Sequence, residues 1–261
     1  MRDRQFVNGL ARGLEVMRAF RPDDGPLGNH DLAERTGLPR STVSRLSYTL
    51  TSLGYLSYST SLGKYALATP VLSLGYACLA GMSVRDIARP LMHELAQQSG
   101  ASVALGGRDR LSMLYIECCR PDAAVTLKLE VGSRIPIATT SMGRALLAAL
   151  PKDERDSLLE EVRRGETDRW SQILDGVRRA ADELRATGFV TALGEWNPDV
   201  NGVGVPFVPV DGSPVLAFNC GGPSFLFSAS RLRNDIGPRL VQLVRQVLGA
   251  SGVQEQPDVT E

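Results

Sequence analysis

Arg40, Ser41, Thr42, Ser44, Arg45 and Tyr48 put two guanidiniums, three hydroxyls and a phenol into one short segment. That set suits the edges of a DNA duplex. Arginine bonds a guanine edge through two N–H groups at once, and serine or threonine reaches phosphates and base edges. Interleaved with these residues, Val43, Leu46, Leu50 and Leu53 recur at helical spacing and predict one buried stripe. The segment therefore reads as a helix with an apolar back and a polar, basic front.

The surrounding elements must hold that front outward. Residues 32–46 read as two short helices joined by a tight turn. Leu32 and Ala33 supply the apolar side of the first helix. Gly37 offers the positive φ of a sharp helix exit, and Pro39 starts the second helix, where a missing N–H is no loss. An ordinary helical hairpin has the same outline; the turn chemistry together with the basic front favours DNA reading. Residues 55–58 and 64–67 flank a small polar loop and predict a β-hairpin, a wing with Lys64 near its tip and within reach of a phosphate. A helix over 7–20 is expected to turn Leu10, Leu14 and Met17 inward and Arg12 and Arg18 outward, until Pro22-Asp23-Asp24-Gly25-Pro26 breaks it. Gly28 or Asn29 is the expected cap of the next helix.

The 261 residues are 43% hydrophobic and 22% charged, the balance of a globular protein with a core to bury. No apolar run approaches membrane-spanning length, and residues 1–5 lack a signal-peptide apolar region, so a cytoplasmic protein without membrane contact is expected. The formal net charge is +0, but residues 1–76 hold nine Lys or Arg against six Asp or Glu. From Arg35 to Arg85 there is no carboxylate. Such a face approaches phosphates without like-charge repulsion. The surplus is small, so two such units acting together are expected. Cys78, Cys118, Cys119 and Cys220 have no metal-type spacing with each other or with His30 and His93, which implies buried free thiols and no metal or other cofactor.

Residues 71–99 read as helical, with Val84, Ile87, Leu91 and Leu95 on one stripe and a kink or restart at Pro90. This segment is either a connector and dimerisation element or a core helix of a second domain. Beyond it β and α segments alternate: strands at 101–105 and 111–119 around a Gly106-Gly107-Arg108-Asp109 turn, a strand at 125–131, and helices near 141–150, 151–164 and 171–187. Strands at 189–193, 202–210 and 215–220 come next, with a turn at Asp211-Gly212, and a last helix carries Ile236, Leu240, Val244 and Val247. The fold class is α+β. The domain assignment is 1–76 for DNA binding, 77–99 for a linker helix, 100–250 for a second domain and 251–261 for a polar, disordered tail.

A second site is expected where Thr139-Thr140-Ser141-Met142-Gly143-Arg144 opens a helix. Free N–H groups at a helix start favour an anion, so Ser141, Met142 and Gly143 would hold a carboxylate, with Met142 covering its apolar part. The competing reading makes Ser141 only a helix cap. Gly202, Asn219 and Cys220 are further candidates on facing strands, and Asn197 either contacts a ligand or shapes a turn. Catalysis has little support: there is no Ser-His-Asp set, Gly202-Val203-Gly204 lacks the context of a phosphate loop, and Glu117, Glu130 and Glu195 would pair only by accident of folding. The rival to a regulator is a small-molecule-binding or hydrolytic protein whose helical N-terminus serves association.

The order of these blocks resembles the IclR-type transcriptional regulators over roughly residues 7–248. The resemblance is carried by residues 37–46 with Gly54-Tyr55-Leu56, by Gly63-Lys64-Tyr65-Ala66-Leu67, by Val131-Gly132-Ser133-Arg134-Ile135-Pro136, and by Met142-Gly143-Arg144-Ala145-Leu146-Leu147-Ala148. Gly188-Phe189, Gly194-Glu195, Val203-Gly204-Val205-Pro206 and Gly221-Gly222-Pro223 extend it. It implies a winged helix-turn-helix, a linker helix and a GAF-like effector-binding domain. It also implies dimers, often paired into tetramers, on palindromic or repeated double-stranded DNA sites, and small metabolite effectors, frequently aromatic or short-chain carboxylic acids. Gly28 departs from the hydroxyl cap usual in that family.

Overall fold

The computed structural model describes residues 5–22, 24–122 and 129–252. Asp23, most of the strand expected at 125–131 and all but the start of the expected tail lie outside the described residues. The chain divides into two units, Met1–Gly81 and Met82–Glu261.

The first unit runs α1 (Asn8–Arg18), β1 (Leu27–Gly28), α2 (Asn29–Thr36), α3 (Arg40–Ser52), β2 (Leu56–Ser59), β3 (Lys64–Leu67) and α4 (Pro70–Ala80). The strands form an antiparallel sheet in the order β1-β3-β2. Val16, Leu27, Leu32, Val43 and Leu56 are its buried core, with Phe20, Leu38, Leu46, Leu50 and Tyr65 packed against them. Two expectations fail here. Leu10 and Leu14 are 65% and 50% exposed. Helix α1 meets α3 at Gly13, over which Leu46 lies, so its inward side runs through Gly13 and Val16 toward Phe20 just beyond its end, and the leucines fall outside. Leu53 is exposed as well, because α3 ends at Ser52 and the small Ser47 takes the inward place.

The second unit opens with α5 (Ser83–Ser99), followed by β4 (Ser102–Asp109), β5 (Ser112–Cys119), β6 (Arg134–Pro136), α6 (Ser141–Ala149), α7 (Lys152–Gly165) and α8 (Trp170–Thr187). Next come β7 (Val190–Leu193), β8 (Val200–Phe207), β9 (Leu216–Pro223), the short α9 (Ala229–Arg231) and α10 (Gly237–Ser251). Six antiparallel strands form one sheet in the order β6-β5-β4-β9-β8-β7. Helices α6 and α8 close one face over Ala104, Met113, Tyr115, Val190 and Ala217, and α5 and α10 pack together and onto strands of the same sheet.

Helix α5 continues through Pro90, which lies on its exposed side. Its buried face centres on Ala88, Met92 and Leu95, while Val84, Ile87 and Leu91 are only half-buried. The Gly106-Gly107 pair is strand, not turn. Strand β4 runs on to Asp109 and the reversal falls at Arg110, with φ 57°. Gly106 answers a packing need instead: a Cβ there would sit 2.5 Å from Met142 Sδ. Cys78 is exposed, against expectation, because no residue of α4 is buried.

Candidate DNA-reading face and effector cavity

The helix-turn-helix is built by local hydrogen bonds. Gly28 N donates to Asp31 Oδ2 at 2.9 Å, which caps α2 although residue 28 has no side chain. Thr36 Oγ1 donates to Leu32 O and accepts from Leu38 N, and Gly37 turns the chain at φ 67°. Pro39 then stands at the N-cap of α3, its carbonyl accepting from Thr42 N and Val43 N.

With Val43 buried, the opposite side of α3 is presented to solvent. Arg40, Ser41, Ser44 and Arg45 are exposed, and Tyr48 is 73% exposed. Thr42 is half-buried and stands at the edge of this front. Ser44, Arg45, Tyr48 and Thr49 line one shallow hollow. Lys64 is exposed at the first position of β3, opposite Ser59, and the cross-strand Tyr58 and Tyr65 rings pack 4.8 Å apart within the wing. The carboxylate-free stretch from residue 35 to 85 covers α3, both wing strands and α4.

In the second unit a cavity opens between the start of α6 and strands β5, β8 and β9. Its walls include Tyr115, Ser141, Glu195, Trp196, Gly202 and Asn219, around an enclosed space of about 30 Å³. As it stands that space holds about two waters, and a metabolite enters only when the walls part. Thr140 caps α6, its Oγ1 accepting from Gly143 N at 3.2 Å and donating to Pro136 O. The cap is thus not Ser141, and Ser141 is left as the first helical residue, lining the cavity. The sheet closes in from the other side: a Cβ on Gly202 would come within 3.2 Å of Ser141 Oγ.

Tyr115 and Asn219 meet across the sheet. Asn219 Nδ2 donates to the Tyr115 hydroxyl at 3.1 Å, and Asn219 Oδ1 is buried without a partner. Burial raises the Tyr115 phenol well above its ordinary value despite the Asn219 contact, so it stays protonated with its own O–H left to donate. Glu195 presents a carboxylate to the cavity, but both its oxygens are taken by Arg144, at 2.7 and 2.6 Å, and Arg179 stands 3.6 Å from Oε2. Burial pushes the Glu195 carboxyl up; the hydrogen bonds and charge of Arg144, helped by Arg179, more than reverse this and hold it below its usual range.

Ser141, Gly202 and Asn219 are therefore brought together, and four other expected residues are not. Met142 is fully buried against Gly106, away from the cavity. Gly143 packs on the Ile137 backbone, where a Cβ would overlap it. Cys220 follows Asn219 on β9 and so faces the other side of the sheet, where burial pushes its thiol up to about 12. Asn197 shapes a turn, its Oδ1 accepting from Asp199 N at 3.0 Å. Tyr115 and Trp196 escaped the sequence reading. Tyr115 looked like a core strand residue, and the signal that could have found it, an extra residue in β5, is visible only in the pairing: Leu105 faces Glu117 but Gly106 faces Tyr115.

The three glutamates are each held by arginine rather than by one another: Glu117 by Arg85, Glu130 by Arg120 and Glu195 by Arg144. No helix among the described residues is long and apolar enough to cross a membrane.

A winged helix-turn-helix joined to a cavity-bearing α+β unit is the build of a ligand-responsive regulator of transcription. The family model for the bacterial transcriptional regulator IclR C-terminal domain matches residues 76–248, and that for the IclR helix-turn-helix domain matches residues 9–59. The chain belongs to the IclR family of DNA-binding transcriptional regulators. It is 36% identical over 244 residues to the HTH-type transcriptional regulator TsaQ1/TsaQ2 of Comamonas testosteroni, covering 93% of this chain and 87% of that one. A crystal structure of an IclR family transcriptional regulator from Brucella abortus is 46% identical with a TM-score of 0.87, covering 95% and 94% of the two chains. An IclR homolog from Microbacterium hydrocarbonoxydans complexed with 4-hydroxybenzoate shares the fold at 23% identity and a TM-score of 0.70, over 94% of this chain and 100% of that one.

Proposed function

We propose that this chain binds its operator as a homodimer, laying α3 in the major groove, and that a small carboxylic acid in the cavity of the second unit modulates the binding. Arg40 and Arg45 contact base edges, Ser41, Thr42, Ser44 and Tyr48 contact bases or backbone, and Lys64 of the wing contacts a phosphate. The observation that carries this reading is the exposed front of α3 within a stretch free of carboxylates. The protein is a regulator rather than an enzyme and acts in the cytoplasm.

A dimer suits the small positive surplus of the first unit, because two half-sites multiply a modest affinity. Its contact surface is the apolar side chains that the unit leaves uncovered: Val7 just before α1, Leu10 and Leu14 on it, and Leu72, Leu74 and Tyr76 on α4.

In the cavity the first free amides of α6, beside Ser141, receive the carboxylate. The Tyr115 hydroxyl and Asn219 hold a polar group of the ligand, and Trp196 covers its ring. The complex of the Microbacterium hydrocarbonoxydans homolog makes 4-hydroxybenzoate the first acid to try. Footprinting on the DNA upstream of the protein's own gene and its neighbours, with and without 4-hydroxybenzoate and related acids, tests both halves. A protected site whose occupancy changes with one acid supports the reading. No protection at any of these sequences counts against the first half, and protection indifferent to every acid counts against the second.

A further inference from the structure

The start of α3 is held by the start of α2. Asn29 Nδ2 donates to Arg40 O at 3.2 Å, and the Arg40 Nη2 group lies 3.2 Å from His30 Nδ1. Arg40 is exposed and is the first residue of α3, whose first turn holds no acid. Its guanidinium is thus oriented by a ring nitrogen, not by a carboxylate.

The distinction matters for recognition. A carboxylate partner would fix Arg40 but would also neutralise it and compete with the DNA for its donors. An imidazole nitrogen accepts one N–H and leaves the charge and the remaining donors of the fork available. Asn29 acts on the backbone of the same residue, so the helix start and the side chain are both located from α2. The asparagine is half-buried, and its Oδ1 is a buried acceptor without a protein partner.

We infer that His30 and Asn29 are positioning residues for DNA reading: they aim Arg40 at its base pair without consuming its charge. The inference rests on the assignment of α3 as the reading helix, and it makes sequence discrimination, not overall affinity, the property these two residues govern. Freeing a long arginine from its brace lets it bond phosphates and wrong bases as readily as the right base.

The test uses the full-length protein and a labelled duplex selected with it from a randomised library, together with every single-base-pair variant of that duplex. Arg40→Ala first identifies the position that Arg40 reads, as the one where discrimination collapses. His30→Ala is expected to lower discrimination at that same position by at least about fivefold, within the range that one bidentate base contact supplies, while affinity for unrelated DNA stays within about twofold. His30→Gln, which keeps an acceptor, is expected to restore discrimination, and His30→Ala in the Arg40→Ala background adds nothing further. Thermal midpoints that stay unchanged separate positioning from misfolding. If His30→Ala leaves discrimination intact while Arg40→Ala destroys it, the inference is overturned and the reading helix stands. If Arg40→Ala itself changes nothing, both are overturned.

Discussion

Arg144 and Glu195 meet at the cavity wall with two guanidinium nitrogens on two carboxylate oxygens, at 2.7 and 2.6 Å, and Arg144 is only 2% exposed. The third donor of the fork, Nε, is used as well, on Ala138 O at 2.9 Å. The pair cancels the charge of a carboxylate that would otherwise repel an anionic ligand. It also ties the first turns of α6 to the loop after β7.

Breaking that contact from one side should be costly. Arg144→Met leaves Glu195 without its partner and is expected to lower unfolding stability by about 3–5 kcal/mol. Gly176 supplies the space for the guanidinium, since a Cβ there would overlap Arg144. Gly176→Ala should therefore cost about 1–3 kcal/mol in the wild type and much less in the Arg144→Met background. Denaturant unfolding of the two single variants and the double variant measures the coupling; additive losses would mean that the two residues do not share the site.

The pair also sets a pH dependence. The Glu195 carboxyl lies below its ordinary 4.5 in the folded protein, so its contribution is present above that value and is lost as pH falls through the lowered one. Wild type should exceed Glu195→Gln in stability at neutral pH, and the gap should narrow once the pH drops below about 4.5. A gap of constant size from pH 7 to pH 3, measured by denaturant unfolding, would remove this role for Arg144.

Gly202 is the most direct handle on the cavity. A methyl group there would stand 3.2 Å from Ser141 Oγ and 3.3 Å from Cys220 O, tight but not overlapping. Gly202→Ala is expected to fold, to bind DNA as the wild type does, and to lose its response to the acid. Asn197→Ala should keep the response, because that side chain serves the turn. Isothermal titration with 4-hydroxybenzoate decides between them; full binding by Gly202→Ala would show that the ligand lies elsewhere.

The contrast between Gly202 and Gly106 shows how far the sequence could be read. Both are glycines in strands, and both are there because a neighbouring element comes close. Turn chemistry was legible at Gly37 and Asp211-Gly212, where the residue's own backbone sets the need. At Gly106 the need comes from Met142, distant in sequence, and a turn was the natural misreading. Helical spacing placed α3 and its buried Val43 correctly, yet it misjudged Leu10, Leu14 and Leu53, since spacing says which residues share a face and not which face meets the core. Tyr115 was hidden for a related reason: one extra residue in β5 puts it on the cavity side while Glu117, two positions on, turns to Arg85 of α5.

Those exposed leucines yield a prediction of their own. Leu10→Glu and Leu74→Glu add charge where the unit has no core to lose, so its thermal midpoint should hardly move. Sedimentation should instead show a shift toward monomer, and operator affinity should fall as the second half-site is lost. A dimer undisturbed by both substitutions would place the contact elsewhere.

The central claim is that the front of α3 reads DNA. Its most direct test is the affinity of full-length protein for its selected duplex as a function of salt, for wild type and Arg45→Ala. Wild-type affinity should fall steeply with rising salt. Arg45→Ala should cost about 1–3 kcal/mol at the cognate site, with little loss on unrelated DNA. Salt-insensitive binding, or an Arg45→Ala protein that holds its operator as tightly as the wild type, would contradict it.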